Sequence, residues 1–227
     1  MKFRSATVTA VSGSIGGLTG SHNKGGMYFR ARSQPVNTNT SFQQVVRNFL
    51  SQVTAAWQQI LTAAQRAAWE TYAANVPLID SLGESRNVSG IAMYVRSNVI
   101  RLQAGLARID AGPTTFSLPT FTAPTVAVDA TADEMDVAYT STDAWAGEVG
   151  GAMIAFASRP QAASINYFRG PYRLAGIVAG AATPPTSPET LTLPFPVVVG
   201  HVVHSKIAVV RADGRLSSPF RLSSVAT

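Results

Sequence analysis

Between Phe42 and Leu61 the apolar residues Phe42, Val45, Val46, Phe49, Leu50, Val53, Trp57, Ile60 and Leu61 follow one another at spacings of 3, 1, 3, 1, 3, 4, 3 and 1. That spacing lays them along one stripe of an α-helix, with Gln43, Asn48, Gln52 and Gln58 elsewhere on the wheel. Ser41 and Gln44 form an S-x-x-Q capping box that opens the helix. Thr62 and Gln65 form a second box in LTAAQRAAW, which predicts a break at Leu61–Thr62. The shorter helix that follows runs to about Ala74 and buries Trp69 and Tyr72. NVPLIDSLGESRNV then reads as a loop. A third helix starts near Ser89 and carries Ile91, Tyr94, Val95, Val99, Leu102 and Leu106. Gly105 and the following DAGP close it.

The pattern changes on both sides of these helices. Before them, KFRSATVTAV and GMYFRAR alternate as short strands do. The glycines between, Gly13, Gly16, Gly17, Gly20, Gly25 and Gly26, punctuate the chain, and SQPVNTNT closes the segment as a loop, with Pro35 steering Gln34 away from helix. After the helices, seven short strands are predicted: Thr125–Ala130, Glu134–Thr140, Ala152–Ser158, Tyr172–Ala179, Glu189–Leu193, Lys206–Ala212 and Arg215–Leu222. Asp213-Gly214 is a hairpin signal between the last two. The expected fold class is α+β: an extended arm over residues 1–39, a helical region over 40–110, and an immunoglobulin-like or fibronectin-like β-sandwich over 111–227. A small barrel would also fit the strand spacing.

Charge is sparse and unevenly placed. Charged residues make up 13% of the 227-residue chain, about half the usual share, while the 46% apolar content is ordinary. Such a chain can fold, and its surface has fewer charges than water-exposed surfaces normally carry. The net charge is +6. Seven bases (Lys2, Arg4, Lys24, Arg30, Arg32, Arg47, Arg66) precede the first acid, Glu70, and the rest of the chain is balanced. A basic, acid-free first third suits an acidic partner surface or a polyanion. With no cysteine, disulfides, thiolate metal sites and cysteine nucleophiles are excluded. No run approaches the roughly 18 apolar residues of a membrane span, and the N-terminus lacks the apolar core of a signal peptide. The expectation is a soluble protein made in the cytoplasm, with no membrane partner.

Candidate chemistry is thin. His201 and His204 fall on opposite faces of a predicted strand, and His22 sits alone among the glycines, so no metal site is expected. GSIGGLTGSHNKGG lacks the spacing of a phosphate loop, because Lys24 is followed by Gly25. Asp133, Glu134 and Asp136 read as a solvated turn rather than an acid–base pair. No cofactor is expected. The aromatic and arginine residues of NYFRGPYRL stand out: Tyr167, Phe168 and Tyr172 interleave with Arg169 and Arg173. These residue types carry interface energy and can also stack on bases. With Lys24, Tyr28, Arg30, Arg32 and Pro35 of the arm, they form the expected interface set.

Fifteen positions follow a recognisable order: Gly26, Arg30, Pro35, Thr40 and Gln44, then Trp57, Leu61, Thr62, Gln65, Arg66 and Trp69, then Ser89, Gly90, Tyr94 and Asn98. They resemble a group of phage and prophage proteins with the pattern G-x-x-x-R-x-x-x-x-P, W-x-x-L-T-x-x-Q-R-x-x-W and S-G-x-x-x-[FY]-x-x-x-N. INYFRGPYRLAG and RADGRLSSPF are similar as well. The resemblance implies a virion or assembly protein, present in the particle and, during assembly, in the host cytoplasm. Its partners would be copies of itself and other virion proteins, and it supplies no active-site residue. The expected function is therefore non-enzymatic: a capsid-associated or tail component whose arm makes intersubunit contacts by adding strands to a neighbour. A nucleic-acid-binding protein using the arm and the YFRGPYR loop is the alternative. An enzyme acting on glycans rests on fold analogy alone.

Overall fold

The computed structural model describes residues 12–23, 26–33, 39–79 and 83–227. The chain divides into two compact units, one ending at Ser41 and the other spanning Phe42–Thr227.

In the first unit, β1 (Gly13–Ile15), β2 (Leu18–Asn23) and β3 (Gly26–Ala31) form an antiparallel meander in that order. The expected strand over KFRSATVTAV lies outside the described residues. GMYFRAR is β3, as its alternation predicts. The glycine run, expected as punctuation, instead supplies two paired strands. Gly16, at φ +56°, makes the tight turn between them, and Ser14 Oγ lies 2.8 Å from Thr19 Oγ1 across the pair. Ser, Thr and Ile at alternate positions are enough for a ladder once a glycine closes the hairpin. The register puts Ile15, Leu18, Met27, Phe29 and Ala31 on one face and Ser14, Thr19, Ser21, Tyr28 and Arg30 on the other. On the apolar face Ile15 is 89% and Leu18 54% exposed.

The second unit begins with α1 (Ser41–Gln59), α2 (Ala63–Asn75), a short hairpin of β4 (Leu78–Ile79) with β5 (Ser85–Arg86), and α3 (Gly90–Gln103). The break falls at Leu61–Thr62, where the Thr62/Gln65 box is formed in both directions: Gln65 N–H donates to Thr62 Oγ1 at 3.2 Å and Thr62 N–H to Gln65 Oε1 at 2.9 Å. Ser89 caps α3. That helix stops at Gln103, short of Leu106, because Gly105 takes up a positive φ. The apolar stripe of α1 is covered only over its second half. Val53 and Ala56 are buried, whereas Phe42, Val45, Val46 and Leu50 are exposed.

Seven further strands follow: β6 (Thr125–Asp129), β7 (Glu134–Ala138), β8 (Ala152–Ala157), β9 (Arg173–Ala179), β10 (Glu189–Thr192), β11 (Val202–Val210) and β12 (Phe220–Val225). They form two antiparallel sheets, β10-β7-β6 and β12-β11-β8-β9. The first five strands lie where the sequence predicts. The last two are displaced, β11 starting at Val202 and β12 at Phe220. The Asp213-Gly214 turn is present, with Gly214 N–H donating to Arg211 O at 3.0 Å. Pro219 cannot donate to a ladder, so the final strand begins only beyond it.

Met135, Val137 and Leu191 of one sheet share a core with Met153, Ala155, Val203, Ile207 and Val209 of the other. The outer face of the four-stranded sheet is also apolar. Ala152, Ile154, Ala208 and Val210 pack there against Ile100, Ala104 and Leu106, at and just beyond the end of α3. Covering on both faces explains why β8 and β11 read as nearly unbroken apolar runs.

Candidate interaction site

Within the helices, residues of the second and third blocks of the sequence pattern converge on one another. Trp69 is fully buried, with Tyr94 at 5.4 Å and Tyr72 at 5.9 Å between ring centroids, and Trp57 packs on Tyr94 from the other side at 5.4 Å. Trp69 Nε1–H donates to Asp110 O at 3.0 Å, and Tyr94 O–H to Asp110 Oδ1 at 2.9 Å. Burial first, then the Asp110 carboxylate, push the Tyr94 hydroxyl above its usual range. Asp110 is held below the usual carboxylate range, chiefly by its bond to Arg108. Arg66 donates to Trp57 O, and buried Asn98 clamps Ile109 by its N–H at 2.7 Å and its carbonyl at 3.1 Å. Gly90 lets α3 touch α2. A Cβ there would stand 2.7 Å from Glu70 N and 2.9 Å from Glu70 Cα, while Gly90 N–H donates to Glu70 Oε2. Gly90→Ala is expected to cost about 1–3 kcal/mol, read as a lower urea midpoint. An unchanged midpoint would mean that the two helices tolerate separation. The helical positions of the pattern thus hold the helices together.

The expected interface residues divide between the two units, five in the arm and five in the β region. Tyr28 and Arg30 share the polar face of the arm sheet, and Arg32 continues from it with its N–H bonded to Gly17 O at 2.8 Å. Lys24 and Pro35 lie outside the described residues. In the β region the expected interface cluster is split. Tyr167 is 69% exposed and Arg169 points to water, but Phe168 and Tyr172 turn inward. Phe168 stacks on buried His204, centroids 5.7 Å apart and planes within 10°, and meets Tyr172 edge-on at 5.1 Å. Tyr172 O–H donates to Phe168 O at 3.0 Å. Arg173 lies over the Phe42 ring at 5.4 Å. His204 is claimed by this stack and His201 sits just before β11, half-buried. Among the described residues no three His, Asp or Glu side chains converge.

Asp133, Asp136 and Trp145 are used by the fold. Asp133 accepts from Val197 N–H and Asp136 from the Thr190 hydroxyl, both at 2.6 Å. Trp145 is buried against Tyr139, with centroids 5.2 Å apart.

One feature is not evident from the sequence. The exposed half of α1 leaves two adjoining apolar clefts above the four-stranded sheet. One, of about 370 Å³, lies between Val46 and Leu50, Val95 and Val99, and Phe156. The other, of about 300 Å³, lies between Phe42, Phe49, Phe156 and Leu174. Cations line both: Lys206 and Arg96 in the first, Arg173 in the second. A smaller hollow beside Phe168 and His204 adds Arg221, and no acid lines any of the three. Arg96 is spent on the carbonyls of Leu216 and Ser217, at 2.9 and 2.8 Å. The amine of half-buried Lys206 makes no hydrogen bond or ion pair to a described residue. Burial, then Arg221 and Arg96, lower the affinity of its amine for a proton. The only signal in the sequence is a lysine at an outward position of the apolar run VVHSKIAVV.

No family model, curated protein or solved structure matches the chain.

Proposed function

We propose that the chain is a non-enzymatic structural protein of a phage particle, a capsid-associated or tail component that assembles through its N-terminal arm and helices. The observation that carries this proposal is the arm sheet. Three short strands whose apolar face leaves Ile15 89% and Leu18 54% exposed are marginal in water. Covering Ile15 and Leu18, or adding a strand of another chain to the sheet, would stabilise them. Arg30 and Arg32, with no acid nearby in sequence, would set the docking direction. For the β region we propose an immunoglobulin-like, fibronectin-type sandwich. In support, the first, second and fifth of its strands form one sheet and the third, fourth, sixth and seventh the other, around a shared core. The particle, and the host cytoplasm during assembly, are the proposed locations.

The test is the mass of the purified protein in solution, full length and lacking residues 1–39, at low and high salt. Full-length protein is expected to form regular assemblies that the truncated protein does not. Equal masses at every salt would overturn assembly through the arm. Tyr28 and Arg30 on one face favour nucleic acid as the second reading. It predicts that a DNA or RNA oligonucleotide binds full-length protein with steep salt dependence.

A further inference from the structure

The outer face of the four-stranded sheet is covered at two places along β11. Phe168 stacks on His204, and α3 with the residues just beyond it packs on Ala208 and Val210. Lys206 lies between these two patches on the same face of the strand. In the ladder it stands directly opposite Arg221 of β12 on one side and Phe156 of β8 on the other. Two cations opposite one another across a ladder destabilise it unless an anion lies between them. None of the ion pairs among the described residues includes Lys206 or Arg221. The other cations of the clefts are engaged, Arg96 by the carbonyls of Leu216 and Ser217 and Arg173 by the Phe42 ring. The uncompensated charge is thus confined to one end. From there the apolar clefts continue past Phe156 to Leu174 and along the exposed half of α1.

We propose that this site binds a fatty carboxylate, its head between Lys206 and Arg221 and its alkyl chain in the clefts against Val46, Leu50 and Phe156. Charge complementarity selects the occupant. A single cationic pair at one end of an apolar trough fits a molecule with one anionic head and one tail. The chain's own arm carries no acid, since the first is Glu70, and a second copy docked through the same face would set cation against cation. A phosphate head needs more donors than the clefts offer. Ser217 Oγ already accepts from Val209 N–H, and Tyr172 O–H already donates to Phe168 O. Size agrees. The clefts, of about 370 and 300 Å³, fall in the range of small-ligand sites. From Phe42 to Leu50 the exposed stripe runs about 12 Å along α1, the length of a chain of roughly ten carbons. A carboxylate beside the Lys206 amine would also reverse the loss of proton affinity that burial and the neighbouring cations impose on it.

The experiment is isothermal titration of the full-length protein with sodium decanoate, sodium hexanoate and decylamine at neutral pH. Decanoate is expected to bind saturably, one molecule to each chain. Each methylene removed is expected to weaken binding about two- to fourfold, as a partly or fully buried methylene does. Decylamine, with the opposite head, is expected not to bind. Lys206→Met keeps most of the aliphatic stem and removes the charge. It is expected to lower the affinity for decanoate roughly tenfold or more while keeping the wild-type circular dichroism spectrum. The head-group and chain-length comparisons need the wild type alone, so they decide even if the variant misfolds. No saturable heat with decanoate, equal binding of decanoate and decylamine, or full affinity in folded Lys206→Met overturns the proposal. Two further results would overturn it by pointing to another occupant. One is co-sedimentation with phosphatidylglycerol vesicles when decanoate does not bind. The other is a lower sedimentation mass for Leu50→Arg when decanoate does not bind, which would make the face a protein contact.

Discussion

Trp69→Ala is expected to cost about 3–5 kcal/mol of stability, the largest effect of any single substitution in the helices. A small domain holds only about 5–15 kcal/mol in total, so the variant should accumulate poorly and melt early. The magnitude has three sources. The indole is fully buried, so its removal leaves a cavity between α2 and α3. It forms edge contacts with both Tyr72 and Tyr94. It also donates to Asp110 O, and the carbonyl would be left without that donor. Trp69→Phe keeps part of the packing and loses the donor, so its melting temperature should fall between those of Trp69→Ala and the wild type. Scanning calorimetry on the three proteins checks the order. Equal melting temperatures for Trp69→Ala and the wild type would mean that the aromatic cluster is not what joins the helices.

Arg101→Met should be nearly as damaging, at about 3–5 kcal/mol, although the substitution is apolar and of similar length. Arg101 is buried, and its guanidinium serves carbonyls from three different segments: Ala107 O at 2.9 Å, Gly150 O at 3.1 Å and Arg211 O at 2.7 Å. It thereby ties the end of α3 to two loops of the β region. Methionine fills the space but leaves three acceptors in a low-dielectric site without a donor, each costing about 1–3 kcal/mol. Burial already disfavours the charged guanidinium, and the more distant Asp213 and Glu148 partly offset this. Arg101→Lys restores charge without the planar fork and should recover only part of the loss. Urea denaturation decides. A methionine variant as stable as the wild type would show that water reaches these carbonyls and satisfies them.

How far the fold could be read from the sequence depended on how local each signal was. Thr62, Gln65 and Ser89 act on the first turn of their own helices, so both helix starts were legible from the residues beside them. The strands from β6 to β10 were legible for a similar reason, since turn residues bound them on both sides. The glycine run misleads because glycine tolerates turn and strand alike, and the pairing of β1 with β2 is decided by residues that look unremarkable singly. The half-covered stripe of α1 is a different failure. Periodicity reports which face is apolar, and whether anything covers that face depends on elements far along the chain. The split of the Tyr167–Arg173 cluster has the same origin, because Phe168 turns inward to a histidine 36 positions later in the sequence. Of the clefts, only the lysine within VVHSKIAVV was legible. Their cations come from α3, β9 and β11, and only the folded chain places Arg96, Arg173 and Lys206 around one exposed helix.

The four-stranded sheet is packed on both sides: one lines the core it shares with the smaller sheet, and part of the other carries α3. A β domain that travels between genes by recombination must be complete at its own surface, as a bead is on a string. This one is not. Cut away from the helices, it would present Ile154, Ala208 and Val210 to water. The helices would lose the carbonyls of Gly150, Arg211, Leu216 and Ser217 that Arg101 and Arg96 hold. Helices and strands are thus a single heritable piece, and exchange between related genomes is expected to respect the junction near Ser41 and avoid any break between Phe42 and Thr227.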